Sequence, residues 1–219
     1  MGQEIDLLAN YPRTKRNLQE RNANKTAEDS AIARQFGKEF FDGDRRHGYG
    51  GFQYHPRFWQ PVIPTFQQHF RLTQQSRVLD VGCAKGFMLH DMASLIPGIY
   101  IEGVDISEYA IANAVPSVKS RLKIADAKKL PYSDRSFDVV ISINTIHNLG
   151  EKDLIQALKE IERVSKGKSF VMVDAYRNEQ EKEAMYAWNL TAKTILSVEE
   201  WQQLFREVGY TGDYYWFIP

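Results

Sequence analysis

Arg77-Val-Leu-Asp-Val-Gly-Cys-Ala-Lys-Gly-Phe-Met-Leu89 is the stretch whose reading decides the fold. Val78, Leu79 and Val81 make an apolar run of the kind required by a parallel strand covered on both faces. Gly82 and Gly86 bracket a turn of small residues, where missing side chains let a ligand approach the backbone. Phe87, Leu89, Met92 and Ile96 then recur at helical spacing, and Pro97-Gly98 stops the helix. Strand, glycine turn and helix together predict a nucleotide-type site at the carboxyl end of a sheet strand.

Downstream, strands and helices alternate, which predicts a parallel α/β sheet. Tyr100 to Ile106 reads as the second strand, Leu122 to Ala125 as the third, Phe137 to Ile143 as the fourth and Ser169 to Val173 as the fifth. Ser107 can cap the helix after the second strand. Asp153 to Ser165 is amphipathic, and Glu179 to Thr194 reads as an inserted helix. Ser197-Val-Glu-Glu200 is a capping box opening a helix that ends at Gly209, and Tyr214 to Ile218 is the last strand. Acids close successive strands on the ligand-binding edge: Asp80, Asp105 and Asp126. Asp105 lies 19 residues beyond Gly86, an offset suited to a carboxylate that accepts both hydroxyls of a ribose.

Upstream, residues 1–75 are rich in Asn, Gln, Arg and Lys, with few strand signals, and read as a helical N-terminal cap and lid. The charged run Arg13 to Lys25 reads as a solvated helix. Thr26 to Phe41 and Pro56 to Phe70 have helical periodicity. Between them, Gly48, Gly50 and Gly51 interleave with Tyr49, Phe52 and Tyr54 in a loop whose aromatics need a surface to pack on. Arg45, Arg46, His47, Tyr49 and Tyr54 are expected to fold over the site.

The 219 residues carry 28 basic and 28 acidic side chains, a balance that weighs against nucleic acid as the main partner. No apolar run approaches a membrane span and no signal-peptide pattern opens the chain. Cys83 is the single cysteine, which fits a reducing cytoplasm. The five histidines lack metal-ligand spacing, so no metal is expected. Gly82-Cys-Ala-Lys-Gly86 lacks the G-x-G-x-x-G arrangement that brings backbone up to a pyrophosphate, which weighs against a nicotinamide-dependent oxidoreductase.

Val78-Leu-Asp-Val-Gly-Cys-Ala-Lys-Gly86, Gly103-Val-Asp-Ile106, Asp126-Ala with Leu130-Pro131 and Ser136-Phe-Asp138, and Ile143-Asn-Thr-Ile-His-Asn-Leu149 together resemble the ordered motifs of the Rossmann-like, class I S-adenosylmethionine-dependent methyltransferases. The resemblance covers residues 76–175 well and the C-terminal helix and strand loosely. It implies a mostly parallel sheet of six or seven strands with helices on both faces, formed by residues 76–219, and S-adenosylmethionine as cofactor. It also implies that Gly82, Cys83, Ala84 and Gly86 line the methionine part, with Asp80 near its amino group and Asn144 beside it. Asp105 and Ile106 would meet the ribose, and Asp126 and Ala127 the adenine edge. The family sheet usually ends in an antiparallel pair. Here only Tyr210 to Pro219 follows the last helix, so either the sheet is a strand short or Thr191 to Leu196 supplies another edge. An edge left open would be covered by a partner or by the N-terminal segment.

Methyl transfer needs alignment, exclusion of water and, for a protonated acceptor, a base. His147 follows the fourth strand and is a candidate base, or a histidine that hydrogen-bonds its loop. Asp174 and Arg177 follow the fifth strand; Arg177 can fork onto an anionic substrate group or pair with Glu179 or Glu181. With Tyr49 in the lid, these residues form the expected catalytic set. Cys83 reads as a small residue that fits the turn, not as a nucleophile. The expected protein is a monomeric or homodimeric methyltransferase acting on oxygen or nitrogen of a small polar metabolite, neutral or anionic. A cofactor-binding protein without turnover is the further alternative.

Overall fold

The computed structural model describes residues 2–12 and 25–219; the helix expected over Arg13 to Lys25 lies, Lys25 apart, outside them. Seven strands form one sheet: β1 (Arg77–Val81), β2 (Tyr100–Asp105), β3 (Leu122–Ile124), β4 (Val139–Ile143), β5 (Ser169–Tyr176), β6 (Leu196–Ser197) and β7 (Asp213–Phe217). The order is β3-β2-β1-β4-β5-β6, with β7 also on β5, and every pairing is parallel. The order reverses between β1 and β4, so the loops after β1 and β4 diverge and leave a crevice at the carboxyl ends of the strands.

The strands are continuously apolar because alternate side chains feed two separate cores. Val78, Val139, Ile141, Phe170 and Met172 pack on one face with α4 (Ile63–Phe70) and α5 (Phe87–Leu95). Leu79, Val81, Val140, Val171 and Val173 pack on the other with α7 (Glu151–Val164) and α9 (Val198–Val208). Ser197 and Glu200 form the expected capping box of α9, and Gly209 ends it in the left-handed conformation.

Two helices expected to be continuous are broken. Over Thr26 to Phe41 the chain forms α1 (Ala27–Ala33) and α2 (Lys38–Asp42). Phe36 sits between them at φ 49° before Gly37. Over Pro56 to Phe70 it forms α3 (Pro56–Trp59) and α4, because Pro64 has no N–H to bond the Gln60 carbonyl. The inserted helix α8 (Glu179–Trp188) is shorter than expected, and α6 (Glu108–Ala112) is capped by Ser107 as expected.

The sheet lacks the family's antiparallel ending. β7 pairs with the first part of β5 and the two-residue β6 with its last two residues, so both candidate edges form. The free side of β7 is taken by the N-terminal segment. Gly2 N–H donates to Gly212 O (3.1 Å), Tyr214 N–H to Gln3 O (3.1 Å) and Ile5 N–H to Tyr214 O (2.9 Å), with Glu4 bridging Tyr214 in parallel. Asp213 fixes this strap by accepting from Gln3 N–H at 2.9 Å while His69 Nε2 lies 2.7 Å away. Leu7 and Leu8 then bury into the core beside α4.

Candidate active site

The turn after β1 is held by geometry that only glycine fits. Gly82 has φ 88°, and a Cβ there would lie 2.0 Å from Thr145 Oγ1. Gly86 has φ 77°, and its Cβ would strike Leu122 and Val118 at 2.8 and 2.9 Å. Between them Ala84 is also left-handed, at φ 49°. Ala84 N–H donates to Asp105 Oδ2 (2.8 Å) and Ser107 N–H to Asp105 Oδ1 (2.8 Å), so the carboxyl of β2 braces the turn of β1. Burial holds the Asp105 carboxyl above the usual range, against the lowering effect of these N–H bonds. Asp80 is 5% exposed and no described donor reaches its carboxyl; burial and then the Asp105 charge push it up to about 8. The same order of causes, burial first, raises the Cys83 thiol, which keeps it inert.

Asp126, after β3, accepts from Lys128 N–H at 3.0 Å and lies 3.5 Å from Lys128 Nζ. Its loop is pinned from α7: Glu160 accepts from Leu130 N–H (2.7 Å), and Arg163 reaches the Leu130 carbonyl (3.1 Å). Ala127 lines the same crevice, and Ile106 is 55% exposed there.

The segment around residues 42–54 meets the glycine turn through a contact that the sequence did not announce. Lys85, in the glycine turn, is 4% exposed. Its ammonium donates to both oxygens of Asp42 (2.9 and 2.7 Å) and to Phe52 O (2.8 Å). Asp42 also accepts from Phe52 N–H (2.9 Å) and Tyr109 OH (2.7 Å). Burial alone would raise Asp42; Lys85 and these hydrogen bonds hold it below the usual carboxylate range. Phe52 stacks on Phe87 (centroids 4.7 Å apart), and Tyr54 OH donates to Asp91 (2.6 Å). The glycine-rich loop therefore packs on the start of α5. Arg45 holds it from within, donating to the carbonyls of Gly48 and Tyr49, while Arg46 pairs with Asp44 and His47 with Asp29. Tyr49 is 45% exposed, on surface that faces the crevice.

The opposite wall comes from the loops after β4 and β5. Asn144 is left-handed at φ 52°, with its N–H on Met172 O. His147, in the 3-10 turn Ile146–Asn148, is 3% exposed. Its Nδ1 accepts from Asp174 N–H (3.1 Å), Nε2 lies 3.6 Å from the Asp174 carboxylate, and burial lowers its pKa against the opposing Asp174 charge. Asp174 is 4% exposed and accepts from Asn189 Nδ2. Arg177 is half-exposed and pairs loosely with Glu181 at 3.7 Å. The structure thus brings Tyr49, Asp174, Arg177 and His147 to one chamber with the strand-tip acids, but His147 and Asp174 face each other inside the wall. Lys85 and Asp42 were missed because their pairing crosses 43 residues of sequence. Asn189 was passed over because the inserted segment carries no motif.

The chamber measures about 1790 Å³, well beyond the roughly 300–1,000 Å³ of a single small-ligand site. It has room for two ligands side by side. Among the described residues, no helix is long and apolar enough to cross a membrane.

Comparison with known proteins now bears on what those ligands are. A family profile described as a methyltransferase domain matches residues 72–209, well over half of the chain. The chain is 34% identical to the tRNA (carboxymethyluridine(34)-5-O)-methyltransferase of Arabidopsis thaliana over 145 residues, 64% of this chain and 33% of that protein. It is 30% identical to the malonyl-[acyl-carrier protein] O-methyltransferase of Legionella pneumophila over 117 residues, 52% of this chain and 40% of that one. The match thus spans only about a third and two fifths of these two relatives. The YcgJ protein of Bacillus subtilis shares the fold, with a TM-score of 0.56 at 19% identity, over 67% of this chain and 66% of that one. The matched profile spans β1 to α9, the elements that carry the glycine turn and the strand-tip acids, and the chain belongs to the class I, Rossmann-like S-adenosylmethionine-dependent methyltransferases.

Proposed function

We propose that the chain transfers the methyl group of S-adenosylmethionine to an oxygen or nitrogen of a small polar molecule, with residues 1–75 as its cap and lid. The observation that carries this reading is Asp80. A buried carboxyl without a donor, beside a second carboxyl and a turn stripped of side chains, fits a ligand that brings its own cation. The amino group of the cofactor's methionine part supplies one. Asp105, held by the N–H groups of Ala84, Ser107 and Ile106, keeps acceptor capacity for a ribose hydroxyl. Ile106, exposed at the same tip, offers an apolar seat for adenine, with Asp126 and Ala127 at its edge. Gly82, Cys83, Ala84, Gly86 and Asn144 bound the methionine part.

When bound, the cofactor supplies a methyl group on a good leaving group. The chain's own task is to orient the acceptor and exclude water. The aromatic loop pinned by Lys85 and Asp42 roofs the chamber. Tyr49 and Arg177 reach the acceptor. Asp174 and His147 act from inside the wall, where they hold the loops after β4 and β5 in register. The relatives' names support oxygen, since two of them denote O-methyltransferases, one acting on tRNA. The even charge of this chain favours a small acceptor, and its lone buried cysteine a reducing cytoplasm.

Calorimetric titration tests the reading. S-adenosylmethionine and its demethylated product should bind with micromolar affinity, NAD should not, and Asp105→Asn should weaken the nucleosides at least tenfold. No heat with either nucleoside would end this assignment.

A further inference from the structure

Resting on that reading, the chamber's own chemistry narrows the acceptor. An acceptor that arrives protonated needs a base with an available lone pair. Two histidines line the chamber, and each spends Nδ1 on a backbone N–H, His147 on that of Asp174 and His55 on that of Arg57, both at 3.1 Å. A neutral imidazole held this way carries its proton on Nε2, so neither ring offers a lone pair to a ligand. Asp174 is buried, with its carboxylate turned onto Asn189 and His147 inside the wall, and Asp6 accepts from Leu8 N–H at 3.0 Å; both keep lone pairs, so the charge of the wall, not the lack of a carboxylate, is what selects the acceptor.

Charge is sorted across the chamber. Asp80, Asp105 and Asp126 stand at the strand tips, where the cofactor lies. The remaining wall carries Arg34, Arg45, Arg57, Arg177 and Lys193 among its cations, against two carboxylates, Asp6 and Asp174. Arg34 donates to the carbonyls of Thr191 (3.3 Å) and Ala192 (3.2 Å), and Arg45 to those of Gly48 (3.0 Å) and Tyr49 (2.8 Å). Arg57 lies over the Phe58 ring at 4.7 Å. Main-chain carbonyls and a ring satisfy these groups without cancelling their charge. Arg177 has a carboxylate only at 3.7 Å, and none pairs with Lys193 among the described residues. With the chain as a whole neutral, this positive wall is a local arrangement.

We propose that the acceptor is the carboxylate of a small organic acid, converted to its methyl ester. A carboxylate is ionised at neutral pH and is its own nucleophile, so no base is required. One of its oxygens forms the new C–O bond to the methyl carbon while the C–S bond breaks and leaves its electron pair on sulfur. Anion and sulfonium become neutral ester and neutral thioether, and no proton moves. The cationic wall holds the acid, and Arg177 and Lys193 are the side chains that choose it.

Two measurements test this. In the first, protein and S-adenosylmethionine carrying a labelled methyl are incubated with a low-molecular-weight cell extract, and the products are treated with mild alkali. Methyl esters release volatile labelled methanol, whereas ethers and N-methyl groups keep their label. Release of most of the transferred label is expected; alkali-stable label overturns the proposal and leaves methyl transfer standing. In the second, phenylacetate and phenylacetamide are titrated into protein loaded with the demethylated cofactor. The acid should bind at least tenfold more tightly, and Arg177→Gln with Lys193→Gln should erase the difference while cofactor affinity holds. Equal response to the two probes, including none, overturns the proposal. Loss of cofactor binding itself would instead overturn the reading beneath it.

Discussion

Among single residues, Asp80 makes the sharpest demand. Burial and Asp105 hold its carboxyl at about 8, so at neutral pH the ligand-free protein keeps a proton there. A cationic ligand favours the carboxylate, so binding expels that proton. Cofactor affinity should therefore rise with pH up to about 8 and then level, and titration in buffers of different ionisation heat should register proton release. Asp80→Asn should flatten the profile and bind weakly throughout. Stability runs the other way. The folded state holds a proton that the unfolded carboxyl, with its pKa near 3.9, has lost, so ligand-free stability falls as pH rises from about 4 towards 8. Asp80→Asn should consequently stabilise the empty protein at neutral pH, by something on the order of 2 kcal/mol in denaturant titrations. Lys85 behaves oppositely. Lys85→Met strands Asp42 without its cation and should cost about 2–4 kcal/mol, and Asp42→Asn added to it should cost far less than the two changes summed. The expectation for Asp80 comes from a motif nine residues long, Val78 to Gly86, but no pattern in the sequence links Lys85 to Asp42, because long-range ion pairs leave no periodic trace.

Elements were legible where periodicity was strong. The alternation of strands with α5, α7 and α9 follows from apolar runs and caps that the structure keeps. The breaks at Phe36 and between α3 and α4 were less legible, because helical spacing survives a short interruption that keeps both halves on the same core. The glycine turn is the element with least tolerance. At Gly82 an added Cβ must displace Thr145 from a left-handed backbone, so Gly82→Ala should cost about 1–3 kcal/mol and at least tenfold in cofactor affinity, read by thermal shift and calorimetry. The edge of the sheet could be raised from sequence only as a question, since a parallel β7 and a two-residue β6 are too short to show their direction. The strap answers it with ladder bonds to Tyr214. Removing residues 2–5 should bare that edge and drive association, visible as heavier species in sedimentation velocity.

Across the whole molecule, cap and sheet meet through the atoms that shape the cofactor turn. Asp42, Phe52, Tyr109 and Lys85 form one junction, so ordering the turn and seating the roof are one event. Adding the demethylated cofactor should slow amide hydrogen exchange across residues 40–54 as well as in the turn itself, and Lys85→Met should confine the slowing to the turn. That the loop's aromatics pack on a surface was foreseeable from its glycines and aromatics; its anchoring was not, since it depends on where the sheet carries Lys85. The strap has a consequence in time. Its residues are translated before the strands of the sheet, yet their hydrogen-bonding partners, Gly212 to Tyr214, are translated after most of them. A nascent polypeptide can fold much of its sheet while residues 2–5 wait, and this clasp fastens only once residues 212–214 have been made.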